Sequence, residues 1–172
     1  ACRIVVCVCS SPWRRSSGLR ATARLTISSV PPTINGSNSS SSETVAKIRE
    51  TARDGKFEFV VKSIKCGESS VTDSSGYLSR SAQGQYCLVD VSVKNIGDKQ
   101  QIFLESDQKL LNADGVQYSP DSTASVYVNK SNVWLSQINP GNTVEGTLAF
   151  DIPKDQTPVS AELHDSSFSN GV

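Results

Sequence analysis

The sequence predicts an all-β domain, a sandwich or a barrel, and three observations carry that prediction. Apolar and polar residues alternate with a period of two in several runs, clearest in Gln85–Asn95 and Thr143–Ile152. Turn-forming groups punctuate these runs: Asp54-Gly55, Asn95-Ile96-Gly97-Asp98, Asp114-Gly115 and Asn139-Pro140-Gly141-Asn142. No convincing helical stripe separates the runs, so the strands must cover one another rather than be covered by crossover helices.

The elements follow in order. Glu43–Arg53 fits a helix through Val45, Ile48 and Ala52, with Thr44 as a cap, and also fits an edge strand. The Asp54-Gly55 pair that follows favours the strand, because both positions of a two-residue hairpin tolerate positive φ. Lys56–Lys65 sets Phe57, Phe59 and Val61 against Glu58, Val60 and Lys62, as a half-buried strand does. Residues 67–84 are rich in Gly and Ser and read as a long loop. In Gln85–Asn95, Cys87, Val89, Val91 and Val93 share one face, and Leu88, Asp90, Ser92 and Lys94 the other. Short strands are expected at Gln101–Leu104, Lys109–Ala113, Val116–Ser119, Ser125–Val128 and Val133–Ile138. Thr143–Ile152 points Val144, Gly146, Leu148, Phe150 and Ile152 one way, and Val159, Ala161 and Leu163 mark a last strand.

The 172 residues divide into three zones. Residues 1–34 are an Arg/Ser/Cys-rich segment expected to be disordered, with the bias that a wrongly assigned start would also give. Residues 35–43 are a Ser-rich linker, too polar to offset its ordering entropy by burial. Residues 44–172 form the folded domain. The formal net charge of zero hides an asymmetry. Residues 1–42 hold five arginines and no acid, whereas from Glu43 onward twelve basic residues stand against seventeen acidic ones, a difference of −5. An acidic body repels a phosphate backbone, so no nucleic-acid partner is expected. No run reaches the roughly 18–20 apolar residues of a membrane-spanning helix, and Ile4–Cys9 is short even for a signal-peptide core.

The ordered series of motifs resembles a known family. It runs from Asp54-Gly55-Lys56-Phe57-Glu58-Phe59 through Tyr86-Cys87-Leu88-Val89-Asp90-Val91-Ser92-Val93-Lys94-Asn95-Ile96-Gly97-Asp98. It continues with Ala113-Asp114-Gly115-Val116-Gln117-Tyr118, Asn139-Pro140-Gly141, Gly146-Thr147 and Phe150-Asp151-Ile152-Pro153. This pattern is similar to that of secreted or lipid-anchored bacterial domains of unknown function, sometimes labelled telomeric repeat-binding factor. Their fold is similar to that of the mycobacterial immunoprotective extracellular protein. The resemblance implies an immunoglobulin-like antiparallel β-sandwich, extracellular or anchored at the cell surface, with no catalytic residues and no cofactor. The Ser-rich stretch matches the family's tether, and a membrane tether through the N-terminal region is one reading of it. However, no Leu-x-x-Cys stands before that stretch.

Given a secreted relative, Cys66 and Cys87 are expected to pair, closing a loop worth roughly 3 kcal/mol; in a reducing compartment they would be two buried thiols. A zinc site needs more ligands than these two cysteines and one distant histidine. Cys2, Cys7 and Cys9 form a weak metal or lipid motif in the unassigned segment. His164, the sole histidine, alternates with Leu163 and is expected on the polar surface beside Glu162. A hydrolase through His164 is the lesser alternative, and a calcium-dependent module through the loop residues Asp107, Asp114 and Asp121 is another. Trp134 fits either the inter-sheet core or an exposed anchor, and Tyr127 is expected to be exposed. Together they mark a candidate binding surface. Asn129-Lys130-Ser131 fits the glycosylation acceptor pattern, which in so Ser-rich a chain carries no inference. The functional expectation is a non-enzymatic extracellular binding domain for a protein, peptide or glycan.

Overall fold

The computed structural model describes residues 4–5, 46–129 and 133–172, which belong to one unit formed by Ala1–Cys7 and Glu43–Val172. The linker expected at residues 35–43, the cluster of Cys2, Cys7 and Cys9, and the disorder expected of residues 1–34 lie outside the described residues. Ile4 and Val5 are the exception.

Eleven strands are present among the described residues: β1 (Ile4–Val5), β2 (Ala46–Lys47), β3 (Thr51–Asp54), β4 (Phe57–Thr72), β5 (Ser79–Asn95) and β6 (Gln101–Ile102), then β7 (Lys109–Asn112), β8 (Gln117–Tyr118), β9 (Gln137–Ile138), β10 (Thr143–Ile152) and β11 (Pro158–Glu162). One sheet has the order β10-β5-β4-β3, antiparallel throughout. The other has the order β2-β1-β11-β7-β8 and is antiparallel except for the β1–β2 pair. β6 and β9 form a separate two-stranded ribbon.

The alternation read from the sequence is the alternation buried. Phe57, Phe59, Val61, Cys87, Val89, Val91, Val93, Leu148, Phe150 and Ile152 of the first sheet join Ile4, Leu110 and Ala161 of the second, with Leu163 just beyond β11, in one core. Their removal from water at roughly 25 cal/mol per Å² is the main favourable term of folding. Phe103 seals one end: its ring lies 6.1 Å from that of Phe57, 6.0 Å from Phe59 and 5.0 Å from Trp134. These are the offset and edge-on separations aromatic rings prefer. Asn95 is fully buried and joins β5 to the ribbon. Its amide donates to the carbonyls of Lys99 and Ile138, at 2.7 Å each, and its oxygen accepts from Gly97 N at 2.8 Å.

Several sequence expectations are corrected. The residues read as a loop, 67–84, are mostly strand: β4 and β5 stay paired to Thr72 and Ser79, leaving residues 73–78 as the turn. Most of this arm has both faces in water, so its ladder needs no apolar alternation, and composition alone hides it. The Asp54-Gly55 turn is shifted by one residue. Asp54 pairs with Phe57, so Gly55 and Lys56 are the central pair, and Gly55 takes φ +54° as the first central residue. Ser125–Val128 is not a strand but part of a helix, α1 (Ser122–Val128), and within Val133–Ile138 only β9 is strand, after a 3₁₀ turn at Val133–Leu135. Asp121 explains the helix: its carboxylate accepts from Thr123 N and Ala124 N, an N-cap that overrides the strand preference of Val126 and Val128. Ile4, expected in the unassigned segment, is fully buried in β1 between β2 and β11.

Cys66 and Cys87 are bonded. They face each other across the β4–β5 ladder with Cα atoms 4.0 Å apart, and register shifts fall on either side of them in β4. The bridge therefore fixes register where bulges would otherwise let the strands slip. Replacing both cysteines with alanine should lower unfolding stability by roughly 3 kcal/mol, from the 21-residue separation. Urea denaturation measures it, and an unchanged midpoint would show that the bridge constrains nothing.

Candidate functional site

β10 is an edge strand, and a bare edge exposes a row of unpaired backbone groups. α1 and its flanking segments cover that edge, by a backbone bridge between Pro120 and Phe150 and otherwise mainly through side chains. Asn129 at the helix C-cap turns its amide toward Thr147: Thr147 N donates to Asn129 Oδ1 at 2.9 Å, and Asn129 Nδ2 donates to Thr147 O at 2.8 Å. One side chain thus replaces a neighbouring strand's donor and acceptor. Two residues on, Ala149 N donates to the buried Ser125 hydroxyl at 3.0 Å, and Ala149 O accepts from Asp121 N at 2.8 Å. Trp134 Nε1 adds a second donor to Thr147 O at 3.3 Å. The indole lies across Gly146, where a Cβ would stand 2.6 Å from Trp134 Cζ2, so only glycine admits this approach.

Asp121 ties the cap to the β4–β5 arm. Its carboxylate accepts from Arg80 Nε at 2.7 Å and from the Tyr86 hydroxyl at 3.3 Å. Burial alone would raise this carboxyl, but the Arg80 guanidinium, the Ala124 N–H and Tyr86 outweigh it and hold it below the ordinary aspartate range. Behind the cap, Val71, Tyr86, Ala124 and Ala149 make a second small core.

Closing the edge in this way leaves a hollow. A cavity of about 290 Å³ opens between α1, the 3₁₀ turn at Glu105–Asp107 and that at Val133–Leu135. Phe103 and Trp134 wall it, and Leu104, Val126 and Leu135 reach it with 46, 46 and 73 % of their surface exposed. Glu105 is its charged member. One of its carboxylate oxygens is shut away from water with no hydrogen-bond partner.

The residues singled out from sequence are placed as follows. Trp134 is core, 6 % exposed, with its edge in the cavity wall. Tyr127, expected to be exposed, is half-buried against the second core because its helix faces the sheet. His164, expected on the polar surface, is largely covered by the returning C-terminal segment, in which Leu163 and Val172 exchange two backbone hydrogen bonds of 2.7 Å. Its Nε2 lies 2.9 Å from Glu162 Oε1 and its Nδ1 3.3 Å from Ser169 Oγ. Ser169 Oγ donates at a shorter 2.9 Å to Ser166 O, so its proton is engaged in a turn rather than offered to the imidazole. Asp107 binds the Ser167 hydroxyl, Asp114 is exposed in its turn and Asp121 serves the cap. Among the described residues no group of three or more His, Cys, Asp or Glu side chains comes together to hold a metal. A second hollow, beside Gly84 and Lys154, includes Asp151, whose carboxylate accepts from Gln83 N and Gly84 N. Sequence reasoning missed Ser125, Asn129 and Glu105. Asp121 before Ser122-Thr123 is the helix-start signal that points toward the first two.

Two packed, almost wholly antiparallel sheets make this an immunoglobulin-like β-sandwich. The chain belongs to the family described as Domain of unknown function (DUF4352), whose model matches residues 46–172. It is similar in structure to a conserved hypothetical protein from Bacillus anthracis, with a TM-score of 0.55, 14 % identity, and coverage of 73 % of this chain and 93 % of that one. It is similar also to MPT63, a secreted protein from Mycobacterium tuberculosis, with a TM-score of 0.51, 16 % identity, and coverage of 69 % and 87 %. At these identities the likeness shows the fold. No curated protein matches the chain.

Two outcomes follow. Gly146→Ala should destabilise the domain by about 1–3 kcal/mol, because the added methyl overpacks against Trp134; a chemical-denaturation midpoint equal to wild type would remove the cap from the account. Asp121, with its folded value lowered, contributes stability above the unfolded value of about 3.9 and loses it as pH falls through the lowered value. Asp165 acts in the opposite sense: burial raises its carboxyl, with Asp54 nearby, so its charged form costs stability at neutral pH. Asp121→Asn should therefore flatten the acid limb of a stability–pH curve, and Asp165→Asn should raise stability at pH 7 but not in acid. Parallel shifts at all pH values would contradict both.

Proposed function

We propose that this domain is a non-enzymatic binding module, extracellular or held at the cell surface, that meets its partner at the cavity between α1 and the two 3₁₀ turns. The observation that carries this reading is the grouping of exposed apolar surface. Of nine large hydrophobic side chains exposed among the described residues, Leu104, Val126 and Leu135 surround this one cavity. Clustered apolar exposure beside a buried aromatic is the pattern of an interaction site, whereas scattered apolar residues are ordinary surface. The other polar constellations serve the fold: His164 holds the C-terminal return and Asp121 holds the cap. The Cys66–Cys87 bridge suits an oxidising compartment, and the fold is shared with a secreted mycobacterial protein.

Immobilised protein and its Leu135→Asp variant, exposed in parallel to a cell-envelope extract, test the reading. Leu135 is 73 % exposed, so the change leaves the core intact while placing a charge at the mouth of the cavity. Species retained by wild type should be lost from the variant. Retention of the same species by both, at equal thermal stability, would overturn the assignment of this surface.

A further inference from the structure

The ligand class can be read from Glu105, on the basis of the binding reading above. We propose that the cavity takes an arginine or lysine side chain from a basic segment of a polypeptide partner, with the aliphatic stem between Trp134 and Leu135 and the cationic head at the Glu105 carboxylate.

Three observations converge. First, Glu105 lies in the wall of the cavity, and among the described residues no cation or N–H group pairs with its carboxylate. Glu105 is half-buried and is the one charged residue lining the cavity, so an incoming guanidinium or ammonium would give its carboxylate a charge-assisted hydrogen bond and the counter-charge it lacks. Second, the remaining wall is uncharged and mostly apolar in surface, with Phe103, Leu104, Val126, Trp134 and Leu135 beside Asn129 and three serines. Arg and Lys are the side chains that combine a methylene stem for such a wall with a charged head for Glu105. The volume of about 290 Å³ lies at the bottom of the range for small-molecule sites and accommodates a single side chain. Third, Leu104 and Val126 stand exposed around the opening. A small cation would leave them in water, whereas a polypeptide carrying an aliphatic neighbour beside its basic residue covers them.

Blocked model peptides provide the test, with the full chain as receptor and two-dimensional NMR as readout. The Trp134 indole N–H is the reporter, and Trp13→Phe fixes its assignment. The probes are Gly-Leu-Arg-Leu-Gly, the same peptide with citrulline for arginine (a neutral isostere), and hexylammonium. The arginine peptide should shift the Trp134 resonance and bind at least about tenfold more tightly than the citrulline peptide. That preference should vanish in Glu105→Gln and shrink with added salt. Equal binding of the arginine and citrulline peptides would overturn the charge assignment and leave the cavity as an apolar binding site. Hexylammonium binding as tightly as the arginine peptide would overturn the polypeptide assignment in favour of a small cation. Absence of any shift at Trp134 with all three probes, at millimolar concentration, would overturn the cavity itself as the site.

Discussion

The outer edge of β10 is the constraint on which this structure turns. Thr147 and Ala149 each present an N–H and a C=O away from β5, and with no partner these four groups would invite a strand from another chain. The molecule answers mainly with side chains, helped by a backbone bridge between Pro120 and Phe150. Asn129 covers Thr147, Ser125 and the Asp121 backbone cover Ala149, and Trp134 settles over the one position where a glycine admits it. Asp121 fixes the start of the helix that carries Ser125 and presents Asn129, and Arg80 of the neighbouring arm reaches Asp121. The remaining framework, the two sheets and the Cys66–Cys87 bridge, holds β10 in place for this closure.

The cavity is a by-product of the same closure. α1 and the 3₁₀ turn at Val133–Leu135 pack on β10, and between them and the 3₁₀ turn at Glu105–Asp107 a space remains, lined chiefly by Phe103 and Trp134 from the core end, Leu104, Val126 and Leu135 from the turns and helix, and Glu105. Loops and short turns held by a rigid scaffold are where binding surfaces arise. On this view the element that protects the edge from unspecific pairing also supplies a specific place for a partner.

The sandwich was legible in the sequence because half-buried strands must alternate. The faces read for Phe57–Val61, Cys87–Val93 and Leu148–Ile152 are the faces buried, and Asn139-Pro140-Gly141-Asn142 closes its turn with Asn142 N donating to Asn139 O and Gly141 at φ +79°. What local pattern cannot register was missed. The solvated β4–β5 arm needs no alternation. Ile4 is buried because β11 offers an edge, a tertiary fact. In α1 the local rules conflict: Val126, Tyr127 and Val128 favour strand, and the cap at Asp121 with the demand of the β10 edge decides for helix. The candidate site was legible only through Trp134. Asn129 looked like a modification motif, and Glu105 is an ordinary surface residue until the fold closes around it.

The backbone amides of Thr147 and Ala149 test this account most directly, through native-state hydrogen exchange. If the side-chain cap completes the sheet, both should exchange as slowly as the β5-paired amides of Leu148 and Phe150, within roughly tenfold. Exchange of Thr147 and Ala149 at rates typical of exposed loop amides, with Leu148 and Phe150 still protected, would mean that the β10 edge is open in solution and that the cavity, whose wall includes the capping residues Ser125, Asn129 and Trp134, does not persist.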